Sequence, residues 1–190
     1  GQANQNAAAA GHPFHTLGGF EVSPDHRYLA LLVDTTGYED FTLEVIDLES
    51  GERLPDTIAP LGFGLAWARS NTLFYTTTDE AKRSNAVHRH TLGTPTSADV
   101  QVYVDGDSRF NVGVHASRSE GWVCISSTSF TSAEWWVVEA SAPEMPPHCV
   151  APRVDGVEYE IAHGGDWWYI TTNRDAAANF KIRSEEHTSE

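Results

Sequence analysis

The sequence has few cysteines and no long apolar run. Its 190 residues include only two cysteines, Cys124 and Cys149, which is too few for a disulfide framework and lacks the C-x-x-C spacing of a zinc site. We therefore expect two free thiols in a reducing compartment and a cytoplasmic protein. No apolar stretch approaches the roughly 20 residues that cross a membrane, so the sequence predicts a soluble protein with no membrane partner.

Basic residues are also scarce. The chain has 12 Lys and Arg residues against 27 Asp and Glu residues, and its formal net charge is -15. Because affinity for nucleic acid depends on Lys and Arg contacts to phosphates, this balance excludes nucleic acid as the natural partner. A cationic partner is one interpretation of the acidity. The simpler alternative is that the charge keeps the protein soluble.

Three common catalytic signatures are missing. The sequence contains no G-x-S-x-G nucleophile elbow, no Gly-rich phosphate loop and no H-E-x-x-H zinc motif. The pairs His12 with His15 and His88 with His90 could hold a metal only with a third ligand, which the sequence does not identify. We therefore assign no catalytic, cofactor-binding or metal-ligating residue, and we expect no cofactor.

Residues 20–53 contain the pattern that the rest of the chain repeats. A short apolar strand leads into S-P-D, where Pro24 sets the backbone angle that the first corner of a type I turn requires. Residues 28–33 form an apolar run with the length of a buried strand. Residues 41–47 alternate with a period close to two, and Gly51 in the next turn is free to take a positive φ. These features predict a β-meander.

The same pattern recurs with a period of roughly 45 residues, the length of one four-stranded propeller blade. The turn after the first strand of each repeat falls at residues 23–26, 68–71, 117–121 and 163–166. An apolar second strand follows each turn, at residues 28–33, 72–77, 122–127 and 167–172. An alternating third strand follows at residues 41–47, 86–91, 134–139 and 179–182. We therefore interpret each repeat as a blade.

The repeats predict an all-β chain that forms part of a β-propeller, with the first strand of each blade innermost. About three and a half four-stranded blades are present. Because propellers close with roughly four to eight blades, we expect a chain truncated at its C-terminus. The predicted organisation is a connecting segment over residues 1–16, the partial propeller over residues 17–182 and a separate tail over residues 183–190. A β-sandwich with evenly spaced strands is the alternative.

Neither end of the chain fits the blade pattern. The sequence begins with Gly1 rather than Met, and residues 2–10 lack the basic start and apolar centre of a signal peptide. The last eight residues, R-S-E-E-H-T-S-E, resemble the translation of a sequencing adaptor. The alternative interpretation is an acidic, disordered tail. We expect the tail to lie outside the fold.

Two tryptophan pairs lie in predicted strands, Trp135 with Trp136 and Trp167 with Trp168. Because neighbouring residues of a strand point to opposite faces, each pair places one ring on each side of a sheet. We expect at least one ring of each pair to pack between blades. The other ring could form an exposed stacking surface.

Several segments together resemble oligopeptidase B, also called protease II, within the prolyl oligopeptidase family of serine peptidases. They run in order from about Asn4 to Ile182 and include V-S-P-D, V-H-R-H-T-L-G, R-F-N-V-G-V, S-S-T-S-F-T-S-A-E-W and V-A-P-R-V-D-G-V-E-Y. The resemblance implies a seven-bladed propeller that caps an α/β-hydrolase domain, with a Ser, Asp, His triad that cleaves short peptides after Lys or Arg. The triad belongs to the hydrolase domain, so no catalytic residue transfers to this sequence. One departure is His26, where the family usually has Gly after S-P-D.

The resemblance implies that the propeller selects substrates by size and that its partners are its own C-terminal α/β-hydrolase domain and short basic peptides. An acidic surface is consistent with attraction of basic peptides. A stand-alone propeller that serves as an interaction or ligand-binding module is the competing hypothesis. A third is a sugar-binding or glycosidase propeller with paired carboxylates.

Overall fold

The structure is a computed structural model that describes Gly11 and residues 13–186. The described chain forms four antiparallel sheets, each built from strands that are consecutive in the sequence. Sheet 1 contains β1 (Thr16–Val22), β2 (Tyr28–Asp34), β3 (Phe41–Asp47) and β4 (Arg53–Leu61). Sheet 2 contains β5 (Leu65–Arg69), β6 (Thr72–Thr78), β7 (Ser84–Thr91) and β8 (Val100–Val104), with a 3-10 turn at Thr96–Ala98 before β8.

Sheets 3 and 4 repeat this arrangement. Sheet 3 contains β9 (Asn111–Ala116), β10 (Trp122–Thr128), β11 (Ala133–Glu139) and β12 (His148–Ala151). Sheet 4 has three strands, β13 (Tyr159–Gly164), β14 (Trp167–Thr172) and β15 (Lys181–Glu186). No helix in the part of the chain that the structure describes is long and apolar enough to cross a membrane.

The turn after the first strand has the same geometry in sheets 1 and 3. In sheet 1 the His26 amide donates to the Ser23 carbonyl at 2.8 Å, and the Tyr28 amide donates to the Ser23 hydroxyl at 2.8 Å. In sheet 3 Ser117 accepts the equivalent pair of bonds, from Glu120 at 2.9 Å and from Trp122 at 3.1 Å. The predicted turn is therefore confirmed, and a serine hydroxyl fixes the start of the second strand in both sheets.

The apolar core lies between the sheets rather than within one layer. Between sheets 1 and 2 the buried side chains include Leu32, Leu43, Leu73 and Tyr75. Between sheets 2 and 3 they include Phe74, Val87, Val114 and Ile125. Between sheets 3 and 4 they include Cys124, Trp135, Trp168 and Ile170. Each inner sheet therefore buries both of its faces, as a propeller blade does.

The first strands of successive sheets lie side by side, with β5 in contact with both β1 and β9. This arrangement places the first strands innermost and confirms the predicted partial β-propeller, with a ring that is not closed. A β-sandwich is excluded because the strands form four separate sheets, and each of the two inner sheets packs against another sheet on both faces. The antiparallel order also defines two ends. The turn face carries the loops after the first and third strands, and the loop face carries the loops after the second strand together with the links between sheets.

Two boundaries differ from the predictions by four residues. Strand β1 begins at Thr16, so it extends four residues before the predicted start at Phe20. Strand β15 covers Lys181–Glu186 and pairs Ile170 with Arg183, so it continues past the boundary predicted at residue 182. The expectation that residues 183–190 lie outside the fold was therefore wrong for residues 183–186. The physical reason is that pairing along β14 uses backbone groups, which every non-proline residue supplies whatever its side chain.

The tryptophan prediction is confirmed. The Trp135 ring lies in the core between sheets 3 and 4, while the half-buried Trp136 packs against the core between sheets 2 and 3. Trp168 is buried against sheet 3, and Trp167 is exposed on the outer face of sheet 4. Each ring of a pair therefore belongs to a different side of its sheet.

Candidate functional site: the loop face

His15, His88 and His90, the histidines of the two sequence pairs that the structure describes, do not belong to a cluster that could hold a metal. In the described part of the chain no group of three or more His, Cys, Asp or Glu residues could hold a metal ion. His12 lies outside the described residues. His90 is 1% exposed and contacts two carboxylates, Asp99 at 2.7 Å from Nδ1 and Asp56 at 3.1 Å from Nε2. Because Asp56 belongs to β4, this histidine links sheet 2 to sheet 1.

His88 has a different environment. Its ring stacks on Tyr75 with ring centroids 5.5 Å apart. Burial lowers the pKa of His88, although the charge of Asp99 opposes that effect. The two histidines of β7 lie two residues apart and therefore share the face of the strand that is turned toward sheet 1.

The loop face carries a group of exposed aromatic side chains. Phe130 is 97% exposed in the loop between β10 and β11, and Tyr38 is 77% exposed in the equivalent loop of sheet 1. Phe63, in the link between sheets 1 and 2, is 58% exposed and packs edge-on against Phe41 at 4.6 Å. Phe180 is also exposed in the corresponding loop of sheet 4. A group of exposed aromatics on one end of a domain is typical of an interaction surface.

The link between sheets 2 and 3, residues 105–110, is held on the loop face by Arg83. The Arg83 guanidinium donates to the carbonyl oxygens of Asp107, Phe110 and Asp105, at 2.9, 2.6 and 3.3 Å. The Asp79 carboxylate accepts from Arg83 Nε at 2.9 Å and fixes the guanidinium from the other side. A link whose carbonyls are held in this way presents a fixed shape to whatever contacts the loop face.

Arg153, from the link between sheets 3 and 4, holds the same loop by a second route. Its guanidinium lies 3.5 Å from the centre of the buried Phe110 ring and donates to Asp105 and to the Ser127 hydroxyl. Glu134 lies 3.6 Å away. Burial opposes ionisation of Asp105, but the hydrogen bonds from Arg153 and Ser127 outweigh it and hold the pKa of Asp105 below its ordinary value.

Sequence reasoning missed both arginines. The contacts of Arg83 reach 22 to 27 residues along the chain, and the contact of Arg153 with Asp105 spans 48 residues. These separations join neighbouring blades, so no local pattern reports them. Both arginines lie outside the strands that the sequence predicted, so the blade pattern offered no signal for selecting them.

The two cysteines lie apart, as free thiols. Burial raises the pKa of Cys124 to about 12 and that of Cys149 to about 11. Because the thiolate is the reactive form, neither sulfur is an activated nucleophile.

Comparison with known proteins identifies the family. The prolyl oligopeptidase N-terminal beta-propeller domain matches residues 4–187. Dipeptidyl aminopeptidase BI from Pseudoxanthomonas mexicana is 41% identical over 179 residues, which cover 93% of this chain and 25% of that protein. Protease 2 from Moraxella lacunata is 30% identical over 164 residues, which cover 85% of this chain and 24% of that protein. The chain therefore spans about a quarter of the length of these relatives.

Solved structures give the same result. Oligopeptidase B from Leishmania major superposes with a TM-score of 0.91 at 27% identity, covering 97% of this chain and 26% of that one. Oligopeptidase B from Trypanosoma brucei superposes with a TM-score of 0.88 at 29% identity, with the same coverage. The match over nearly all of the sequence, and the agreement of the four sheets with these structures, show that the chain belongs to the N-terminal β-propeller domain of the prolyl oligopeptidase family.

Proposed function

We propose that this chain is the propeller portion of an oligopeptidase B-like serine peptidase that hydrolyses short peptides after Lys or Arg. In this proposal the propeller is a size-selective cap over an α/β-hydrolase domain, and the protein acts in the cytoplasm. The similarity to Protease 2 and to two oligopeptidase B structures supports the substrate class. The net charge of -15 favours attraction of basic peptides.

The position of the loop face supports the proposal that the hydrolase domain docks there. Strand β1 begins at the loop face, and the antiparallel order of each blade returns every link between sheets to that same end. A hydrolase domain joined to the ends of a propeller chain is therefore tethered at the loop face. The exposed Tyr38, Phe63 and Phe130 supply apolar area for it to cover.

The cap works by exclusion. A rigid ring over an active site admits a flexible peptide and turns away a folded protein, because the folded protein cannot thread past the ring. Arg83 and Arg153 contribute rigidity by fixing residues 105–110 on the side that faces the hydrolase domain.

The test uses the full-length protein that contains this chain. Phe130→Asp and Phe63→Asp each place a charge in the docking face, and we expect kcat/KM for short Arg-terminated peptides to fall about tenfold, since a central aromatic contact carries that much interface energy. Met145→Asp is the matched control, because Met145 is an exposed apolar residue on the turn face. Wild-type activity in both loop-face variants would refute docking at this face.

The chain described here should have no peptidase activity by itself. A nucleophile, its base and an oxyanion hole need the scaffold of the hydrolase domain to hold them in place. We expect no turnover of Arg- or Lys-terminated chromogenic peptides by the purified chain. Turnover that a serine-directed reagent abolishes would contradict this expectation.

A second specificity is supported by one observation. The relative that is 41% identical is named a dipeptidyl aminopeptidase, which implies release of dipeptides. The full-length protein separates the two hypotheses when it is given one peptide with a free amino terminus and the same peptide acetylated. A dipeptidyl aminopeptidase requires the free terminus, whereas cleavage of both peptides after Arg supports the oligopeptidase.

A further inference from the structure

A cavity of about 400 Å³ lies between sheets 3 and 4 at the turn face, opposite the loop face. The side chains that define it are His115 and Arg118 from β9 and its following turn, Cys124 from β10, and Ile161 and His163 from β13. All of these strands belong to two blades that contact each other in the described chain. The walls of the cavity therefore need no further blade to complete them.

The charge of this cavity is opposite to that of the protein. Among the residues that the structure describes, no carboxylate lines it, although the chain as a whole carries 27 Asp and Glu residues. Arg118 is exposed on the turn, and its guanidinium forms no ion pair with any residue in the described ranges. Arg118, which has no acidic partner in the described ranges, lies beside two histidines, and this arrangement is suited to recognise an anion.

Both imidazoles are held in place by their neighbours. The His163 Nδ1 atom is 2.7 Å from the Ser119 hydroxyl, and its ring lies 4.8 Å from the Trp168 ring. The His115 ring packs edge-on against Trp135 with ring centroids 5.5 Å apart. These contacts fix the rings at the cavity wall and place two tryptophans next to them.

We propose that this cavity is a binding site for a small oxyanion, a carboxylate or a phosphate, with Arg118 as the principal cation. The planar guanidinium of Arg118 offers paired N–H donors that match two oxygens of one oxyanion. His115 and His163 add positive charge when protonated. The site lies at the opposite end of the propeller from the loop face, so it is independent of the proposed docking of the hydrolase domain.

The histidines give the site a pH dependence. His115 is exposed at the cavity, but the side chains packed around its ring, including Trp135, remove part of its hydration and lower its pKa below the ordinary value of about 6.5. The ring is therefore neutral at neutral pH and gains its charge only under acidic conditions. The other ionisable groups that face it are His163 from β13, Arg118 from the turn and Cys124 from β10, whose pKa of about 12 keeps it neutral. We therefore expect oxyanion affinity to rise as the pH falls.

The test is a titration of the full-length protein that contains this chain with sodium phosphate and, separately, with sodium acetate at constant ionic strength, followed by tryptophan fluorescence at submicromolar protein concentration. We expect saturable quenching. For acetate, whose own charge changes little over this range, we expect a dissociation constant that decreases between about pH 8 and about pH 5.5. Saturation by both anions identifies a general oxyanion site. Saturation by phosphate alone or by acetate alone identifies which oxyanion the site takes.

Two variants separate a built site from general charge attraction. Arg118→Gln should weaken binding by about tenfold or more, since it removes the charge-assisted pair of hydrogen bonds. Arg174→Gln is the matched control, because Arg174 is an exposed arginine at the loop face and its loss changes the net charge equally. Circular dichroism confirms that each variant is folded. The proposal is overturned if neither anion saturates, if both variants weaken binding equally, or if the dissociation constant does not change with pH.

Discussion

Phe74 in sheet 2 and Tyr169 in sheet 4 occupy the same place in their blades. Each is the third residue of the second strand, and each points to the side where the next sheet of a propeller would lie. Phe74 is 0% exposed because sheet 3 covers it, whereas Tyr169 is 46% exposed because no sheet follows it in the described chain. Both strands carry an aromatic ring at this position. The comparison teaches that a neighbouring blade, and not the strand itself, decides burial in this fold.

The outer face of sheet 1 is also partly exposed, but less than that of sheet 4. This face carries Leu29, Leu31 and Val33. The partial propeller predicted from the sequence leaves it without a neighbouring blade and therefore predicts that these side chains are bare. Leu29 and Leu31 are only half-buried, but Val33 is 4% exposed. The expectation of a bare outer face was therefore correct for sheet 4 and wrong for Val33 of sheet 1.

The largest expected effect concerns the uncovered outer faces. At roughly 25 cal/mol per Å² of apolar surface, a few hundred Å² exposed on each terminal sheet forfeits on the order of 5 to 10 kcal/mol. We expect the isolated chain to be aggregated or molten, and Tyr169→Ser with Ile182→Ser to reduce its association. Size-exclusion chromatography with thermal melting at micromolar concentration measures both. A monodisperse monomer with a sharp transition would instead support a stand-alone binding module.

The comparison of Phe74 with Tyr169 can be tested directly by truncation. Phe74→Ala leaves a cavity between sheets 2 and 3 and should lower the free energy of unfolding by about 3 to 5 kcal/mol. Tyr169→Ala removes an exposed ring and should change it by less than about 1 kcal/mol. Urea denaturation of the two variants measures the difference. Equal losses would show that sheet 4 is covered in solution.

The comparison between covered and uncovered positions also applies to charged side chains, with Arg153 as the covered example. Arg153→Gln leaves Asp105 buried without its cation, and we expect a loss of about 2 kcal/mol. Arg174→Gln, at an exposed arginine, should be nearly neutral. Because the folded state lowers the pKa of Asp105, the stabilisation is complete above about pH 4 and is lost as the pH falls through the folded pKa. When the free energy of unfolding is measured as the pH is lowered, its decrease should therefore be smaller in Arg153→Gln than in the unmodified protein.

The smallest effect is expected at the turns. His26 and Glu120 occupy equivalent positions with φ of 59° and 58°, a left-handed conformation that glycine adopts without strain. His26→Gly and Glu120→Gly should each raise the free energy of unfolding by about 0.5 to 1 kcal/mol. Thermal melting measures the gain in stability of each variant. Asn71→Gly, in the shorter turn of sheet 2, is the control. A loss of stability in both would contradict the geometry.

Much of the fold followed from the sequence. The period of the S-P-D-like turns and of the apolar second strands predicted four sheets in the right order. The predicted bounds of three second strands lie within one residue of the observed bounds, and those of β14 agree at both ends. Third strands were placed less accurately where they began after a polar loop, as in sheets 2 and 4. Local alternation marks the centre of a strand, but pairing with the neighbouring strand decides where the strand ends.

The candidate sites could be predicted from the sequence much less well than the fold. Sequence reasoning considered the pair His88 and His90 but assigned no metal-ligating residue, and it found no reason to select Arg83, Arg153 or Arg118. The sequence could not reveal the roles of these side chains, because the environment of a side chain in a propeller comes from the adjacent blade, about 20 to 50 residues away in the chain. His90 became a link between sheets 1 and 2, and Arg153 became the anchor of residues 105–110.

The sequence by itself determined the blades, because turn chemistry and the alternation of apolar residues act over a few neighbouring positions. Only the tertiary structure decided which faces are covered, which cations find carboxylates and which cavities lie between blades. These outcomes depend on contacts between segments that are distant in the chain, such as Phe74 against sheet 3 and Arg118 beside His163, and no local pattern encodes those contacts.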